Sequence, residues 1–284
     1  MSTFKIYPQL LETIKLQVKQ ALQEDIGTGD ISAALIDDAE QACASILSRE
    51  PAVICGTAWV TEVFQQLDTQ IKISWHIEDG DFVQANTTLC EITGPARDLL
   101  SGERTALNFL QTLSATATQT RRYVDAIKGT RTRLLDTRKT IPGLRLAQKY
   151  AVLCGGGYNH RIGLYDMFLI KENHIIAAGS IAKAVAQARK NLSGIPIEVE
   201  VENLAELQQA LTANIDRILL DNMDTAMLKQ AVALGAGKIP LEASGGVDLN
   251  TIRSIAETGI DYISVGGITK HIQAIDLSMR FKKS

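Results

Sequence analysis

The spacing of hydrophobic residues predicts one helix and a group of short strands in the first hundred residues. The helix begins near Pro8, which suits a first turn, and its apolar positions recur every three or four residues. Apolar and polar positions then alternate in three stretches, at residues 45–50, 71–81 and 87–94. Because such alternation is typical of half-buried strands, we expect a partly antiparallel sheet. A long second helix is predicted over residues 101–129.

A different pattern, repeated six times, follows that helix. Short apolar runs alternate with helix-like segments, and successive runs start 34, 29, 21, 22 and 23 residues apart. These spacings fit parallel strands joined by helical crossovers, either in a (β/α) barrel or in a doubly wound sheet. No GxGxxG motif follows the first run, which favours the barrel. The runs are RLLD (133–136), MFLI (167–170), PIEVEV (196–201), RILL (217–220), IPLEA (239–243) and YISV (262–265).

Composition excludes several classes of protein. The chain has 284 residues, of which 45% are hydrophobic, so it can bury a large core. With 29 basic and 32 acidic side chains its net charge is −3, which argues against nucleic-acid binding. There is no run of 18 apolar residues, no signal-peptide pattern and no CxxC pair. The sequence therefore predicts a soluble protein of the cytoplasm with free thiols.

The residues at the ends of the six strands are ordered by chemistry. Basic residues follow the first two strands, carboxylates lie on the next two, and glycines follow the last two. Since these ends converge at one face of a barrel, we expect an anionic ligand whose two ends are held differently. The basic residues are Arg138, Lys139 and Lys171, the carboxylates are Glu200 and Asp221, and the turns are Ser244-Gly245-Gly246 and Gly266-Gly267.

The charge distribution and the glycine pairs both favour a small phosphorylated ligand. Residues 121–172 contain 11 Lys or Arg and 4 Asp or Glu, so the rest of the chain carries −10. A basic island in an acidic chain, without a row of aromatic residues, suits a small multiply charged substrate better than nucleic acid. Glycine turns after the last two strands occupy the usual phosphate-binding positions of barrels.

The carboxylates and histidines leave alternatives open. Glu200 and Asp221 could bind sugar hydroxyls and stabilise positive charge, or could simply form ion pairs with Arg138 or Lys171. His160 and His174 are 14 residues apart and are not a helical metal-binding pair. No metal site made by protein side chains is predicted.

Two long motifs resemble the central signature of the quinolinate phosphoribosyltransferases. They are LLDTRKTIPGLR (134–145) and KYAVLCGGGYNHRIGLYDMFLIKENHI (149–175). The segments EDIGTGDIS, SGERTALNFLQTLSATAT, EVEVEN, ILLDNM, LEASGGV and DYISVGG match further blocks of that family in the same order. Ala115 replaces a frequent glycine of the family, and Tyr158 fills a variable position.

The resemblance implies a fold and a reaction. The reaction converts quinolinate and phosphoribosyl pyrophosphate into nicotinate mononucleotide, pyrophosphate and carbon dioxide, with Mg²⁺ held mainly by phosphoribosyl pyrophosphate and water. The implied fold is α/β, an incomplete (β/α) barrel at residues 111–269 with an N-terminal open-faced α/β sandwich at residues 1–110. The C-terminal tail, about residues 270–284, completes the sandwich. Members form homodimers or higher homo-oligomers, and no nucleic acid or membrane is involved.

The resemblance also implies roles for individual residues. Arg104 reaches into the neighbouring subunit's site. The quinolinate pocket is lined by Thr137, Arg138, Lys139, His160, Arg161 and Lys171. Glu200 and Asp221 face the ribose, and together with Lys139 they are the expected catalytic residues. The 5′-phosphate is held by Ser244, Gly245, Gly246, Val265, Gly266 and Gly267.

Three competing interpretations remain at this stage. A sister pyrophosphorylase of the same fold, such as the one associated with molybdenum transport or a nicotinate phosphoribosyltransferase, would share most of the motifs. A Schiff-base lyase could use Lys139 or Lys171 as its nucleophile. A non-catalytic regulator could bind a phosphorylated metabolite at the glycine turns.

Overall fold

A computed structural model describes residues 8–282 of the chain. Its helices and strands are, in chain order, α1 (Pro8–Ile26), β1 (Gln41–Ser48), β2 (Ala52–Val53), α2 (Thr57–Leu67), β3 (Lys72–Trp75), β4 (Phe82–Val83), β5 (Thr87–Pro95), α3 (Ala96–Ala126), β6 (Arg133–Leu135), α4 (Arg145–Cys154), β7 (Phe168–Ile170), α5 (Glu172–Ala178), α6 (Ile181–Asn191), β8 (Ile197–Val201), α7 (Leu204–Leu211), β9 (Arg217–Asp221), α8 (Thr225–Gly235), β10 (Leu241–Ser244), α9 (Ile252–Ala256), β11 (Tyr262–Ser264), α10 (Gly267–Lys270) and β12 (Leu277–Phe281). Within residues 8–282, no helix combines the length and apolar character needed to cross a membrane.

The chain divides into two compact units. Unit 1 comprises residues 1–121, 141–156 and 271–284, and unit 2 comprises residues 122–140 and 157–270. The last two residues of the predicted C-terminal tail lie outside the described residues.

Unit 1 is built on an antiparallel sheet with helices packed against it. The strand order is β12-β1-β5-β3, so the last strand of the chain pairs with the first. The helix α1 buries Leu10, Ile14, Val18 and Leu22, which recur every four residues as the apolar pattern predicts. A separate pair, β2 and β4, is also antiparallel.

One helix of unit 1 is absent from the predicted elements. The sequence analysis places no helix between residues 50 and 71, where the structure has α2. Its buried residues Trp59, Val60, Val63 and Phe64 all have 0% exposure. They follow a helical spacing, so the pattern was present in the sequence and was overlooked.

Unit 2 is a parallel sheet of six strands in the order β6-β11-β10-β9-β8-β7. The first and second strands of the repeat are therefore at the two edges, where they do not pair with each other. This order confirms the predicted incomplete (β/α) barrel and its separate sandwich. The helix α4, between β6 and β7, packs into the core of unit 1 through Ala147, Tyr150, Ala151 and Cys154.

The strand registers determine which side chains share a face in unit 2. Along β8, Ile197, Val199 and Val201 alternate with Glu198 and Glu200. Glu198 is level with Arg217 of β9, and Glu200 is level with Leu219. Because successive side chains point to opposite faces, Glu198 and Glu200 share one face of the sheet at two depths.

Candidate active site

Glu200, near the end of β8, is paired with a lysine. Lys171 follows β7 directly and forms an ion pair with Glu200, in which the lysine side chain is 47% exposed and the carboxylate 14% exposed. Of the two ion-pair partners considered from the sequence, Arg138 and Lys171, it is Lys171 that pairs with Glu200, at the exposed end of the strands. A pair that is open to solvent contributes little to stability, so both groups can rearrange around a ligand.

Asp221 lies at the end of β9 beside the same pair. Burial raises the pKa of its carboxyl, and the neighbouring Glu200 raises it further, while Lys171 and Lys139 act in the opposite direction. One Asp221 oxygen accepts a hydrogen bond of 2.8 Å from the Asn222 amide. Two acids and two lysines from four different strands thus meet at one place. Such a mixed cluster can bind hydroxyl groups and respond to positive charge on a ligand.

The first basic loop and the last glycine turn are in contact. A Cβ atom on Gly266 would lie 2.6 Å from Cδ of Lys139 and 3.2 Å from Oγ1 of Thr137. The Thr269 hydroxyl donates a hydrogen bond of 2.8 Å to the Lys139 carbonyl and so fixes the loop. The basic residues and the glycine turns are therefore not separated, because β6 and β11 are neighbours in the sheet.

The glycine turn after β10 packs against the end of β9. Gly245 has φ +100° and Gly246 has φ +59°, conformations that side chains with a Cβ rarely adopt. A Cβ on Gly245 would overlap the Asn222 side-chain amide. Ser244, the last residue of β10, accepts a hydrogen bond of 2.9 Å from the Asn222 backbone. This turn needs glycine for both conformation and space.

Two guanidinium groups stand close together near the strand ends. Burial lowers the pKa of Arg161, and the positive charge of Arg138 lowers it further. Among residues 8–282, the buried Nε of Arg138 has no hydrogen-bond acceptor. Adjacent guanidinium groups repel each other, and an unmade buried hydrogen bond is unfavourable. Both features favour an anionic ligand with more than one oxygen.

The segment that contains His160 and Arg161 is held from below by Asp136. This carboxylate has no exposure and accepts hydrogen bonds from the His160 backbone (2.8 Å) and from the Asn159 amide (2.7 Å). The Tyr158 backbone bonds to Leu134 of the edge strand β6. Asp136 therefore positions the NHR motif against the sheet.

His160 points into a buried charged cluster that its sequence spacing does not indicate. Its Nε2 lies 2.9 Å from Oε2 of Glu198 and 3.4 Å from Oε1 of Glu242. Arg217 contacts Glu242 at 2.9 Å and Glu198 at 3.9 Å. Burial opposes a charged imidazole, but the two carboxylates outweigh it and raise the pKa of His160 to about 9. We call His160, Glu198, Arg217 and Glu242 the buried cluster.

Most of the predicted site residues lie in unit 2 and are linked by these contacts. Val265 is buried and donates a backbone hydrogen bond of 3.0 Å to Leu135, and Gly267 begins the short helix α10. Arg104 is different, because it belongs to unit 1, where it is exposed on α3. Several supporting residues have no role in the sequence-based prediction: Asp136, Glu198, Arg217, Asn222 and Glu242, which stand on or after the predicted strands, and Asn159 and Thr269. The alternation of side chains along IEVEV places Glu198 on the same face as Glu200, so the sequence does contain a signal for Glu198.

Comparison with known proteins agrees with this arrangement. The family model described as quinolinate phosphoribosyl transferase, N-terminal domain, matches residues 30–114. The model described as quinolinate phosphoribosyl transferase, C-terminal domain, matches residues 116–280. Together they span most of the chain.

Individual proteins are similar over nearly their whole length. The solved structure of nicotinate-nucleotide pyrophosphorylase from Francisella tularensis is 50% identical, with a TM-score of 0.95, and the match covers 99% of this chain and all of that one. NadC from Streptococcus pyogenes is 41% identical, with a TM-score of 0.93 and 97% of each chain covered. A probable nicotinate-nucleotide pyrophosphorylase [carboxylating] of Bacillus subtilis is 42% identical over 93% of each chain. The chain belongs to the quinolinate phosphoribosyltransferase family.

Proposed function

We propose that this protein transfers a phosphoribosyl group from phosphoribosyl pyrophosphate to quinolinate, with loss of carbon dioxide. The products are nicotinate mononucleotide and pyrophosphate, and the reaction is a step of NAD synthesis. The observation that carries the proposal is the pair Arg138 and Arg161, whose guanidinium groups are close enough for the charge of Arg138 to lower the pKa of Arg161, with an unsatisfied buried donor on Arg138. Quinolinate has two neighbouring carboxylates, and guanidinium groups bind carboxylates through paired hydrogen bonds.

The rest of the site supports the ribosyl half of the reaction. Breaking the anomeric C–O bond places positive charge on the ribose, and a nearby carboxylate stabilises such a charge most strongly where water is excluded. Glu200 and Asp221 lie together at the strand ends and provide that negative charge. The glycine turns can hold the 5′-phosphate through their backbone N–H groups, since Gly246 has open space at its Cβ position and Gly266 packs against the side chain of the cation Lys139.

Decarboxylation follows from the chemistry of the substituted ring. Once the ring nitrogen bears the ribose it is cationic, so it stabilises the electron pair left on the neighbouring ring carbon when the carboxylate there leaves as carbon dioxide. That carbon then takes up a proton from solvent, which completes nicotinate mononucleotide. Arg138, Arg161 and His160 orient the ring, and no general base is needed to break that bond. Lys171 can exchange its contact with Glu200 for a ligand oxygen, because it is half exposed.

Mg²⁺ fits this site as an ion held by the substrate. The two carboxylates at the strand ends already have partners, Lys171 for Glu200 and Asn222 for Asp221. This observation favours Mg²⁺ bound through diphosphate and water oxygens over a cage of side chains. When bound, the ion neutralises the diphosphate leaving group.

The acceptor distinguishes this function from that of a sister enzyme. We expect nicotinate mononucleotide and pyrophosphate to form from quinolinate, phosphoribosyl pyrophosphate and Mg²⁺, and not when nicotinate replaces quinolinate. Equal activity with nicotinate would favour a nicotinate phosphoribosyltransferase. Borohydride with candidate keto substrates should trap no adduct at Lys139 or Lys171, whereas a trapped adduct would favour the lyase. If the protein binds these substrates but forms no product, the non-catalytic regulator is favoured.

The glycine turn after β10 provides a test of the phosphate end. Gly245→Ala should raise the KM for phosphoribosyl pyrophosphate by about tenfold. Alanine is strained at this positive φ, at a cost of about 1–3 kcal/mol, and its Cβ would overlap Asn222, so the turn must move. Gly194→Ala is the matched control. Gly194 has a similar φ of +88° but nothing near its Cβ position and lies away from the site. Steady-state kinetics that show the same KM increase in both variants would refute the assignment.

We further propose a homodimer, or a higher homo-oligomer, in which Arg104 enters the neighbouring subunit's site. Ile31 and Leu35 in unit 1 are each 89% exposed, and Tyr165 in unit 2 is 75% exposed. Large apolar side chains this exposed favour a partner surface. The expected location is the cytoplasm, which agrees with four unpaired cysteines.

Mixed assemblies test the shared site. Arg104→Ala and Lys171→Ala should each be nearly inactive alone. After the two variants are unfolded and refolded together, mixed dimers should regain about a quarter of the wild-type activity if each site combines residues of two chains, because one site in half of the dimers is then intact. Activity should be measured against each variant refolded alone, with mixed dimers verified by two affinity tags. Verified mixed dimers without activity would place Arg104 in the site of its own chain.

A further inference from the structure

The buried cluster contains an unequal number of charges. Glu198 and Glu242 both have 0% exposure, and a single guanidinium, that of Arg217, stands between them. A buried charge without a partner is strongly unfavourable. Either His160 supplies a second positive charge, or one carboxylate carries a proton.

Arg217 is paired with Glu242. The Nη1–Oε2 distance to Glu242 is 2.9 Å, whereas the nearest contact of Arg217 with Glu198 is 3.9 Å. The guanidinium also stacks over the Tyr262 ring at 4.5 Å, which fixes its plane. Burial disfavours the ionised form of Glu242, but the neighbouring His160, Ser264 and Arg217 together outweigh burial, and the pKa of Glu242 falls. Glu242 is therefore the ionised member of the pair.

The ring of His160 has its proton on one side only. Its Nδ1 accepts a hydrogen bond of 2.8 Å from the Arg161 backbone N–H. A proton on Nδ1 would place two donors against each other, so the ring carries its proton on Nε2 only. The raised pKa of His160 shows that the buried cluster keeps one more proton at neutral pH, and because Nδ1 is an acceptor this proton belongs to a carboxylate. That Nε2 faces Glu198. His160 thus lies against Glu198 with its N–H side and brings no positive charge to it.

Among residues 8–282, no cation forms a close ion pair with Glu198, since its nearest guanidinium contact is the 3.9 Å one with Arg217. Neither of its oxygens receives a well-aligned hydrogen bond from a residue in the range 8–282. Asp136 is bonded to the His160 backbone and to Asn159, and Asp166 accepts from the backbones of Ile162 and Gly163. The titratable or charged groups around His160 are Asp136, Arg161, Asp166, Glu198, Arg217 and Glu242.

We propose that Glu198 is a carboxylic acid at neutral pH and acts as a positioning residue for His160. Its proton leaves the buried cluster without net charge and supplies a donor beside Glu242, since one oxygen of each glutamate lies within 4.8 Å of the other. Oε1 of Glu242 is buried without a hydrogen-bond partner among the described residues. Burial, and then the charge of Glu242, raises the pKa of Glu198. Because Glu198 lies close enough to Arg161 to act on its charge, an ionised Glu198 would weaken the attraction of Arg161 for a dianion.

A metal ion is the alternative way to neutralise the cluster. His160, Glu198 and Glu242 could each give one ligand atom to the same metal ion, since these three atoms lie within 4.8 Å of one another. The guanidinium of Arg217 touches the same carboxylates and would repel a cation. The structure therefore favours a proton at this position.

Infrared difference spectroscopy on the full-length enzyme without substrate tests the protonation directly. Wild type minus Glu198→Gln should show one carboxylic-acid C=O band from pH 6 to pH 8, and the band should shift in deuterium oxide. Glu257→Gln, which removes an exposed carboxylate paired with Arg253, should give no such band. Two results would overturn the proposal. One is a difference spectrum without a carboxylic-acid band, and the other is one equivalent of metal that binds to the wild type and not to Glu198→Gln.

Kinetics test the positioning role, which rests on the proposed function, whereas the spectrum does not. A neutral glutamine replaces a neutral acid, so Glu198→Gln should keep the KM for quinolinate within about threefold at pH 7. In the wild type this KM should rise about three- to tenfold at alkaline pH, as Glu198 with its raised pKa loses its proton, and Glu198→Gln should lack that component. A large KM increase in Glu198→Gln at pH 7, or the same alkaline rise in both enzymes, contradicts the proposal.

Discussion

Replacing Arg138 by glutamine should raise the KM for quinolinate by about 100-fold or more and leave the binding of phosphoribosyl pyrophosphate within a few-fold. A hydrogen bond between charged groups contributes about 1.5–3 kcal/mol, and each 1.36 kcal/mol corresponds to about a tenfold change. Arg138 stands beside Arg161 and has a buried Nε without an acceptor among residues 8–282. The free enzyme thus holds a donor that only the ligand satisfies. Steady-state kinetics and calorimetric titration with each substrate measure both effects.

Two further variants separate charge from geometry at this position. Arg138→Lys keeps the positive charge but not the planar fork, so we expect it to recover only a small part of the lost affinity. Arg131→Gln removes an exposed arginine of the same basic region, where Arg131 pairs with Asp261, and should change the KM by less than about twofold. If Arg138→Gln weakens both substrates equally, the residue does not belong to a quinolinate pocket.

Replacing Arg217 by methionine should destabilise the protein by about 3–5 kcal/mol at pH 8, the usual consequence of removing one partner of a buried ion pair. Methionine preserves much of the arginine stem, so the main change is the missing charge next to Glu242. Chemical denaturation at fixed pH gives the free energy of unfolding. Arg253→Met is the matched control, because Arg253 forms an exposed pair with Glu257, and we expect a loss below about 1 kcal/mol.

The pH dependence of that loss identifies its electrostatic origin. In the wild type the pKa of Glu242 is lowered, so its contribution to stability is present above the unfolded-state pKa and disappears as pH falls through the folded-state pKa. Without Arg217 the folded-state pKa of Glu242 should lie above the unfolded-state value. The deficit of Arg217→Met should therefore shrink as pH is lowered from 8 toward 5. A deficit independent of pH would instead indicate lost packing against Tyr262.

The fold was predictable where hydrophobic periodicity carries the information. The six apolar runs correspond to β6 to β11, and their spacing of 21 to 34 residues leaves room for the helical crossovers that parallel strands need. The position of α4 was not predictable, because its apolar face looks the same whether it covers the barrel or packs into unit 1. The predicted strand at 71–81 is shorter in the structure, where it is β3, and the end of the predicted segment forms a turn at Glu78–Asp81 in which Gly80 has a positive φ.

The candidate site was predictable at the strand ends but not below them. Lys139, Glu200 and Asp221 could be named from their positions after apolar runs, and the structure brings them together. Glu198 and Glu242 lie inside strands, where the expectation for a carboxylate is exposure. Their pairing with Arg217 and His160 depends on the order β10-β9-β8, a property of the sheet and not of any local motif.

The origin of the released carbon dioxide tests the proposed chemistry most directly. Quinolinate should be labelled in turn at the carboxyl next to the ring nitrogen and at the other carboxyl, and incubated with the enzyme, phosphoribosyl pyrophosphate and Mg²⁺. We predict labelled carbon dioxide only from the carboxyl next to the nitrogen, in equal amount to nicotinate mononucleotide, and none when phosphoribosyl pyrophosphate is omitted. Release from the other carboxyl, or release without phosphoribosyl pyrophosphate, would contradict a mechanism in which ribosylation of the nitrogen comes first.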